Sequence, residues 1–193
     1  MKNICVFCGS SFGADQIYLQ EAKRLGEYIA KNNLTLVYGG GNVGLMGAIA
    51  DEVLKHKGEV IGVIPNFLKE KEVGHMGLSQ LHVVDTMHER KQLMAQLSDA
   101  FVAMPGGLGT LEELAEITTW VQLEIIKKPT AILNVNGYYD ALLKQFDVMT
   151  KQGFVKEGNR NNILSATNVE GLMESLLSFK FDDYSLWSDI DRT

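Results

Sequence analysis

The residue types best suited to chemistry lie in one glycine-rich segment, Pro105–Glu116 (PGGLGTLEELAE). The short, uncharged apolar run before it, Ala100–Met104, is typical of a buried strand, which Pro105 would end because it lacks an amide proton. Leu111 and Leu114 then begin a helical spacing of apolar residues. The segment therefore predicts a strand, a glycine loop and a helix N-terminus, whose unpaired amide groups suit a phosphate.

Thr110 and Glu113 within this segment allow a second interpretation. Their spacing matches a capping box, in which the hydroxyl and the carboxylate close the first turn of their own helix. The motif alone leaves both interpretations open, an anion site and a purely structural cap.

A basic pair, Arg90 and Lys91, follows Met87 in the segment MHERK, at the start of a helix predicted over 87–96. Cations in the first turn of a helix oppose its dipole. The pair is therefore either an exposed surface feature or part of an anion site, where an arginine offers two parallel donors.

The same segment resembles the beginning of an HExxH zinc motif, through His88 and Glu89. Gln92 occupies the position of the second histidine ligand, so no metal site is predicted here.

Gly39, Gly41 and Gly44 match the GxGxxG spacing between a predicted strand and a helix. A dinucleotide-binding motif also requires an acidic residue at the end of the next strand. That strand is followed here by Pro65 and Asn66, and the glycine loop follows the second strand rather than the first. We therefore expect these glycines to serve close helix–strand packing or contact with a nucleoside monophosphate, without a dinucleotide cofactor.

The only two cysteines, Cys5 and Cys8, have a CxxC spacing that would suit zinc or redox chemistry. Both lie in a predicted strand, where residues three positions apart point to opposite faces. The chain has no second cysteine pair that could complete a zinc site. We expect buried structural thiols.

Composition and charge exclude several classes of function. The 193 residues carry a net charge of −6, whereas a nucleic-acid-binding surface needs a basic face. No apolar run reaches the length of a membrane span, and the N-terminus, MKNICVFCGS, lacks the features of a signal peptide. We expect one cytoplasmic domain over 1–193 with a loosely packed tail from about 180, and neither nucleic-acid nor membrane partners.

The predicted elements alternate between strand and helix, and the strands are continuous apolar runs. This pattern favours the α/β class, a parallel sheet covered by helices on both faces. Ligands of such sheets bind beyond the carboxyl ends of the strands, so Gly9, Ser10, Glu72 and the loops at Gly39–Gly41 and Gly106 can meet at one edge. The predicted strands are 3–8, 35–38, 60–64, 81–84, 100–104, 130–134 and 161–165.

Three motifs taken together, GGGNVGLMG, MHERK and PGGLGTLEE, resemble those of the LOG (lonely guy) family of cytokinin riboside 5′-monophosphate phosphoribohydrolases. The resemblance extends over 5–154, and the pair MHERK and PGGxGTxEE is its most specific part. It implies a Rossmann-like fold, a homodimer, and hydrolysis of the N-glycosidic bond of a nucleoside 5′-monophosphate. The products would be the free base and ribose 5-phosphate, with no metal or cofactor required.

The resemblance also implies roles for individual residues. Arg90 and Glu113 match the family's catalytic pair. Cleavage of a ribosyl–nitrogen bond builds positive charge on the sugar, and our hypothesis is that Glu113 carries the chemistry while Arg90 orients the substrate. Stabilisation of the cation and activation of water both remain open roles for the carboxylate. The expected substrate-binding residues are Gly9, Ser10, Glu72, Met87, Lys91, Gly106, Gly107, Leu108, Gly109, Thr110, Leu111, Glu112 and Thr119.

Three functions are compatible with the sequence. The first is the phosphoribohydrolase acting on cytokinin nucleotides, and the second is the same reaction on AMP, because base preference depends on pocket shape. The third is a non-catalytic nucleotide-binding or carrier protein, since a fold alone does not determine function. Arg90 and Glu113 favour an enzyme, because a carrier does not need a carboxylate placed against the sugar.

Overall fold

The computed structural model of the protein describes residues 1–69 and 74–181. Two predictions lie outside these residues: the substrate-binding position Glu72 and most of the loosely packed tail. None of the helices in the described part of the chain has the length and apolarity needed to cross a membrane.

Strands and helices alternate along the described chain, except that more than one helix separates the last two strands. The strands are β1 (Asn3–Phe7), β2 (Thr35–Tyr38), β3 (Glu59–Pro65), β4 (Gln80–Val84), β5 (Ala100–Ala103), β6 (Thr130–Leu133) and β7 (Ile163–Ala166). The helices are α1 (Gln16–Lys31), α2 (Gly44–Lys55), α3 (Asn66–Lys69), α4 (Met87–Leu97), α5 (Leu108–Gln122), α6 (Asp140–Lys151), α7 (Glu157–Asn161) and α8 (Val169–Ser178).

The strands form one seven-stranded sheet in the order β4-β3-β2-β1-β5-β6-β7. Every neighbouring pair is parallel, which confirms the predicted α/β class. From β1, the chain adds β2, β3 and β4 in turn towards one edge of the sheet. It then crosses back to place β5 on the other side of β1, and β6 and β7 follow towards the opposite edge. This reversal between β1 and β5 is the topological switch point, where open parallel sheets bind their ligands.

Both faces of the sheet are covered, as predicted. One face packs against α1, α2 and α8, which bury Leu25, Ile49 and Leu172 completely. The other face packs against α4 and α5 through Met94 and Ile117. Burial of an aliphatic side chain of this size contributes about 1.5–3 kcal/mol, so these two layers hold the ends of the central strands in fixed positions.

The cysteine prediction is confirmed. Cys5 and Cys8 are both buried free thiols. Cys5 packs in the layer of α4 and α5, whereas Cys8 packs in the layer of α1 and α2, because residues three apart in a strand point to opposite faces.

Several boundaries differ from the predictions. β1 ends at Phe7, one residue before Cys8, and β5 ends one residue before Met104. The connection predicted as irregular over 66–80 begins with the short helix α3. The last strand starts at Ile163 rather than at residue 161, because the preceding residues form α7.

Candidate active site

The loops that follow β1 and β5 are in direct contact at the switch point. The Gly9 amide donates to the Pro105 carbonyl (3.1 Å), and the Leu45 amide at the start of α2 donates to the Gly9 carbonyl (3.0 Å). A Cβ atom on Gly106 would stand only 2.8 Å from the Gly9 nitrogen. The three glycine-containing loops that we expected at this edge therefore form one continuous surface.

Helix α5 starts without a capping side chain. Its N-cap is Gly107, and Leu108 is its first residue. Thr110 lies inside the first turn and is buried, so the capping-box interpretation of Thr110 and Glu113 is wrong. A glycine N-cap has no side-chain oxygen, so it leaves the first-turn amides available for a ligand.

The space beside these amides is open. Apart from the immediate neighbours in sequence and the backbone of α5 itself, no atom of the described residues lies within 4 Å of the point where a Cβ would stand on Gly107 or Gly109. The Leu108 side chain between them is 85% exposed. An anion can therefore approach the main chain closely at the positive end of the helix dipole.

Arg90 is buried, with 7% of its surface exposed, so the interpretation as an exposed surface pair is wrong for it. Its Nε donates to the Val63 carbonyl (3.2 Å), and its Nη2 donates to the Gly39 carbonyl (3.2 Å). These two carbonyls lie at the carboxyl ends of neighbouring strands and hold the planar guanidinium group in one orientation.

The glycine motif is explained by close approaches. A Cβ on Gly39 would stand 1.9 Å from Nη2 of Arg90, so a larger residue would displace the guanidinium. Gly44 adopts a φ of +57°, and a Cβ there would stand 2.2 Å from the Ser10 carbonyl carbon. Both glycines thus serve close packing, one of the two roles expected for the motif.

The capping box of this site lies on α4. The Thr86 hydroxyl accepts from the Glu89 amide (3.1 Å), and the Glu89 carboxylate accepts from the Thr86 amide (3.1 Å). Glu89, which suggested a zinc motif, therefore caps the helix that carries Arg90. The spacing of Thr86 and Glu89 in the sequence matches this capping box and would have predicted it. Within the described residues, no three His, Cys, Asp or Glu side chains are grouped as ligands of a metal ion.

Glu113 is half-buried, one helical turn into α5. Burial, and then the nearby Glu113 carboxylate, raise the pKa of Cys8 and of Cys5 well above the ordinary range. Cys8 and Glu113 line the same cleft, so the carboxylate lies close to the end of β1. Burial, together with the smaller effect of this carboxylate, keeps both thiols protonated, so neither is a candidate nucleophile.

These groups line one cleft of about 280 Å³. Cys8 and Met46 belong to its lining and were not predicted. Cys8 could have been found because it directly precedes Gly9, and Met46 because it lies in the motif GGGNVGLMG. The predicted residues that line the cleft are Gly9, Ser10, Met87, Arg90, Gly107, Leu108, Gly109, Thr110, Glu112 and Glu113.

Gly106 lies beside this cleft. It lines an adjoining cleft of about 320 Å³, which shares Gly9, Ser10 and Gly107 with the first and has Tyr138 in its wall. The Tyr138 hydroxyl donates to the Gly106 carbonyl (2.6 Å) and so fixes one side of the loop.

Lys91 is directed to α5 rather than to the cleft. It is buried, and its Nζ lies 2.5 Å from Glu112 Oε1 and 3.0 Å from Glu116 Oε1. Burial alone would lower the pKa of Lys91, but the hydrogen bonds to these two carboxylates outweigh burial and raise it. Lys91 therefore fastens α4, which carries Arg90, to α5, which carries Glu113.

Two predicted residues, Leu111 and Thr119, lie on the exposed side of α5. Thr119 lines a separate cavity of about 210 Å³ that Phe146 of α6 also lines. Its hydroxyl donates to the Ala115 carbonyl one turn earlier (2.7 Å). Neither residue reaches the cleft of its own chain.

The fold and the cleft define the class of this protein: a Rossmann-like α/β protein whose candidate site lies at the switch point of a parallel sheet. The family described as "Possible lysine decarboxylase" matches residues 46–176. Cytokinin riboside 5′-monophosphate phosphoribohydrolase LOG7 of Arabidopsis thaliana is 43% identical over 99% of this chain and 90% of its own length. The cytokinin riboside 5′-monophosphate phosphoribohydrolase of Rhodococcoides fascians is 44% identical over 92% of this chain and 90% of its own length. The chain therefore belongs to the LOG family, as the three motifs suggested.

Solved structures share the fold. The molybdenum cofactor binding protein of the phototrophic bacterium Rippkaea orientalis is 26% identical and superimposes with a TM-score of 0.69. The match covers 92% of this chain and 97% of that protein. The Rossmann-like architecture is thus common to this chain and to a cofactor-binding protein.

Proposed function

We propose that the protein hydrolyses the N-glycosidic bond of a cytokinin riboside 5′-monophosphate, an N6-modified adenosine nucleotide, to the free base and ribose 5-phosphate. The observation that carries the proposal is the cleft in which the open N-terminus of α5, the buried Arg90 and the half-buried Glu113 meet. Relatives at 43–47% identity that are named for this activity support the same reaction.

The 5′-phosphate would bind to the start of α5. The first-turn amides there have no carbonyl partner within the helix, and the helix dipole adds about half a positive charge at this end. The open space beside Gly107 and Gly109 supports direct contact between phosphate oxygens and the main chain.

The ribose of such a nucleotide would lie over Glu113, one turn beyond the phosphate. As the bond between C1′ and the base nitrogen breaks, its electron pair leaves with the base and positive charge develops on the sugar. An ionised carboxylate stabilises this charge and accepts a proton from the water that attacks C1′. The base nitrogen gains a proton, so water is divided between the two products.

Arg90 would orient the substrate and stabilise its negative charge. Its guanidinium is fixed before any ligand binds, through the carbonyls of Val63 and Gly39. A charge already held in place costs little reorganisation when the substrate reaches the transition state. The proposed role is thus electrostatic and geometric rather than acid–base.

A cofactor carrier is the alternative supported by the likeness to the Rippkaea orientalis protein. That likeness is weaker in sequence, at 26% identity, than the 43–47% identity to the phosphoribohydrolases. The Glu113 carboxylate in the cleft also favours an enzyme. In a carrier it would repel the bound anion, whereas in the proposed reaction positive charge develops on the sugar between the carboxylate and the phosphate.

We further propose that the chain is a single cytoplasmic domain that forms a homodimer. Leu111, Ala115 and Thr119 follow one another at one-turn spacing on the exposed side of α5. A surface of this kind supports association through α5, next to the cleft.

The reaction is tested by incubating the protein with isopentenyladenosine monophosphate, AMP and adenosine, and measuring the free base by chromatography. We expect release from isopentenyladenosine monophosphate, slower release from AMP, and little from adenosine, which has no phosphate for α5 to bind. Equal rates with AMP would favour a salvage enzyme. Tight nucleotide binding without release of base would favour a carrier.

The role of Glu113 is tested by Glu113→Gln, which keeps the size of the side chain and removes its charge. We expect kcat to fall by at least about 100-fold, because an amide neither stabilises the cation nor accepts a proton from water. Glu174→Gln, at an exposed position on α8, is the matched control and should retain full activity. Unchanged turnover in Glu113→Gln would refute the assignment.

A further inference from the structure

The connection between β3 and β4 contains a buried histidine that the proposed reaction does not use. His75 is 8% exposed, and its Nε2 lies 2.9 Å from Oδ1 of Asp51 on α2. The Gly77 amide donates to the other ring nitrogen, Nδ1 (3.1 Å). Since Nδ1 accepts, the neutral ring carries its proton on Nε2 and donates it to Asp51.

The main chain around His75 is joined to the loop that follows β2. The His75 amide donates to the Gly40 carbonyl (3.1 Å), and Gly74 forms an antiparallel bridge with Gly41. The side chain and the main chain of one short segment therefore hold both α2 and the glycine loop that leads into it.

The same glycine loop supports the guanidinium of Arg90. Gly39 immediately precedes the two glycines that pair with this segment, and its carbonyl accepts from Nη2 of Arg90. The fit at Gly39 is close, since even a Cβ there would stand 1.9 Å from Nη2. A small shift of the loop would therefore move the arginine or break its hydrogen bond to the Gly39 carbonyl.

We propose that His75 and Asp51 are positioning residues for Arg90: their hydrogen bond holds residues 74–77 against α2, which keeps the Gly39 carbonyl in place. The inference rests on the proposed role of Arg90 in the reaction. Neither His75 nor Asp51 lines the cleft, so both act through the loop and not by contact with the substrate.

The proposal is tested with two amide variants, each of which reproduces the hydrogen bond of only one ring nitrogen. In His75→Gln the amide nitrogen can replace Nε2 as a donor to Asp51, whereas in His75→Asn the carbonyl can replace Nδ1 as an acceptor for Gly77. We expect His75→Asn to lower kcat for nucleotide hydrolysis by about 10- to 100-fold, because a misplaced catalytic group has effects of this size. KM should change little, since the phosphate is held by α5. His75→Gln should keep most of the activity.

Asp51 offers the reciprocal pair of variants. Asp51→Asn retains an oxygen that accepts from Nε2 and should stay close to the wild type, whereas Asp51→Ala should resemble His75→Asn. His56→Ala is the matched control: it removes a histidine next to the same helix, whose Nε2 lies 3.1 Å from Glu52 Oε1, and it should leave kcat unchanged. Thermal unfolding of each variant separates lost activity from lost structure.

A second measurement follows Arg90 directly. We expect its Nε–H proton to exchange slowly in the wild type and at least about tenfold faster in His75→Asn, measured by ¹⁵N NMR, because a displaced guanidinium is more open to water. Unchanged kcat together with unchanged exchange in His75→Asn and Asp51→Ala would overturn the inference. If the wild type released no base, the proposed function would fail, whereas the exchange rates would still decide the positioning role.

Discussion

At Gly109, the proposed phosphate binding favours glycine, whereas the stability of the helix favours alanine. It lies in the first turn of α5, next to open space where the phosphate is proposed to bind. Alanine is the better helix former, and no described atom obstructs its methyl group. The proposed phosphate site therefore gives a reason for the glycine at this position that the fold does not.

We expect Gly109→Ala to raise the free energy of unfolding by about 0.5 kcal/mol and to weaken AMP binding at least about tenfold, because the methyl group occupies the phosphate site. Thermal unfolding and titration calorimetry measure the two effects. Gly171→Ala, in the first turn of α8, is the control and should bind AMP normally. Normal AMP binding by Gly109→Ala would contradict the anion site.

Cys8 predicts a loss of stability at alkaline pH. Burial and the Glu113 carboxylate raise the pKa of this thiol from an ordinary value of 9.0, so above about pH 9 the unfolded chain loses a proton that the folded chain keeps. The contribution of the protonated Cys8 thiol to the free energy of unfolding is fully present below pH 9. Above that pH it declines by about 1.4 kcal/mol per pH unit. Buried Tyr38 and Tyr139, whose pKa values are also raised by burial, add to the decline above about pH 10.

The free energy of unfolding in urea, measured at pH 8 and pH 10, tests this effect. We expect it to decrease in the wild type, and to decrease by about 1 kcal/mol less in Cys8→Ala. The same slope in both proteins would show that the thiol ionises equally in the folded and unfolded chains.

At the scale of elements, the proposed chemistry requires that two helices keep a fixed relative position. α4 presents Arg90 and α5 presents Glu113, and Lys91 joins them through Glu112 and Glu116. Because Lys91 is buried while Glu112 is mostly exposed, the interaction stabilises the pair of helices by a modest amount, about 1 kcal/mol.

Lys91→Met should lower the free energy of unfolding by about 1 kcal/mol, and the loss should be smaller when Glu116 has already been changed to Gln. A double-mutant cycle with Lys91→Met and Glu116→Gln measures this coupling. Strictly additive effects would contradict the bridge, and a large rise in KM alone would instead favour the contact with substrate suggested by the family.

At the scale of the whole molecule, the exposed side of α5 predicts a dimer. Leu111 is 37% exposed and lies in line with Ala115 and Thr119. Leu111→Asp places a charge on this surface, where it would remain unpaired in an interface.

We expect sedimentation equilibrium to give twice the chain mass for the wild type and a single chain mass for Leu111→Asp. Leu177→Asp, at a 59% exposed position on α8 across the sheet, is the control and should remain dimeric. A monomeric wild type, or a dimeric Leu111→Asp, would exclude this interface.

Much of this architecture was determined by short-range patterns in the sequence. Apolar runs and helical spacing predicted the order of strands and helices and the parallel sheet, and glycines after strands predicted which loops meet at the switch point. These features depend on residues a few positions apart, so they can be inferred without knowing the tertiary structure. Most of the residues that line the cleft belong to the three motifs identified in the sequence.

Only the tertiary structure determined which partners the individual polar side chains bind. Arg90 is held in place because its guanidinium donates a hydrogen bond to the Gly39 carbonyl, 51 residues away in the sequence. Lys91 binds carboxylates that lie 21 and 25 residues further along the chain. The spacing of Thr110 and Glu113 suggested a cap that α5 does not have, while the actual cap formed on α4. A polar side chain binds whichever partner the packed elements bring within about 3 Å, and that choice is not contained in local spacing.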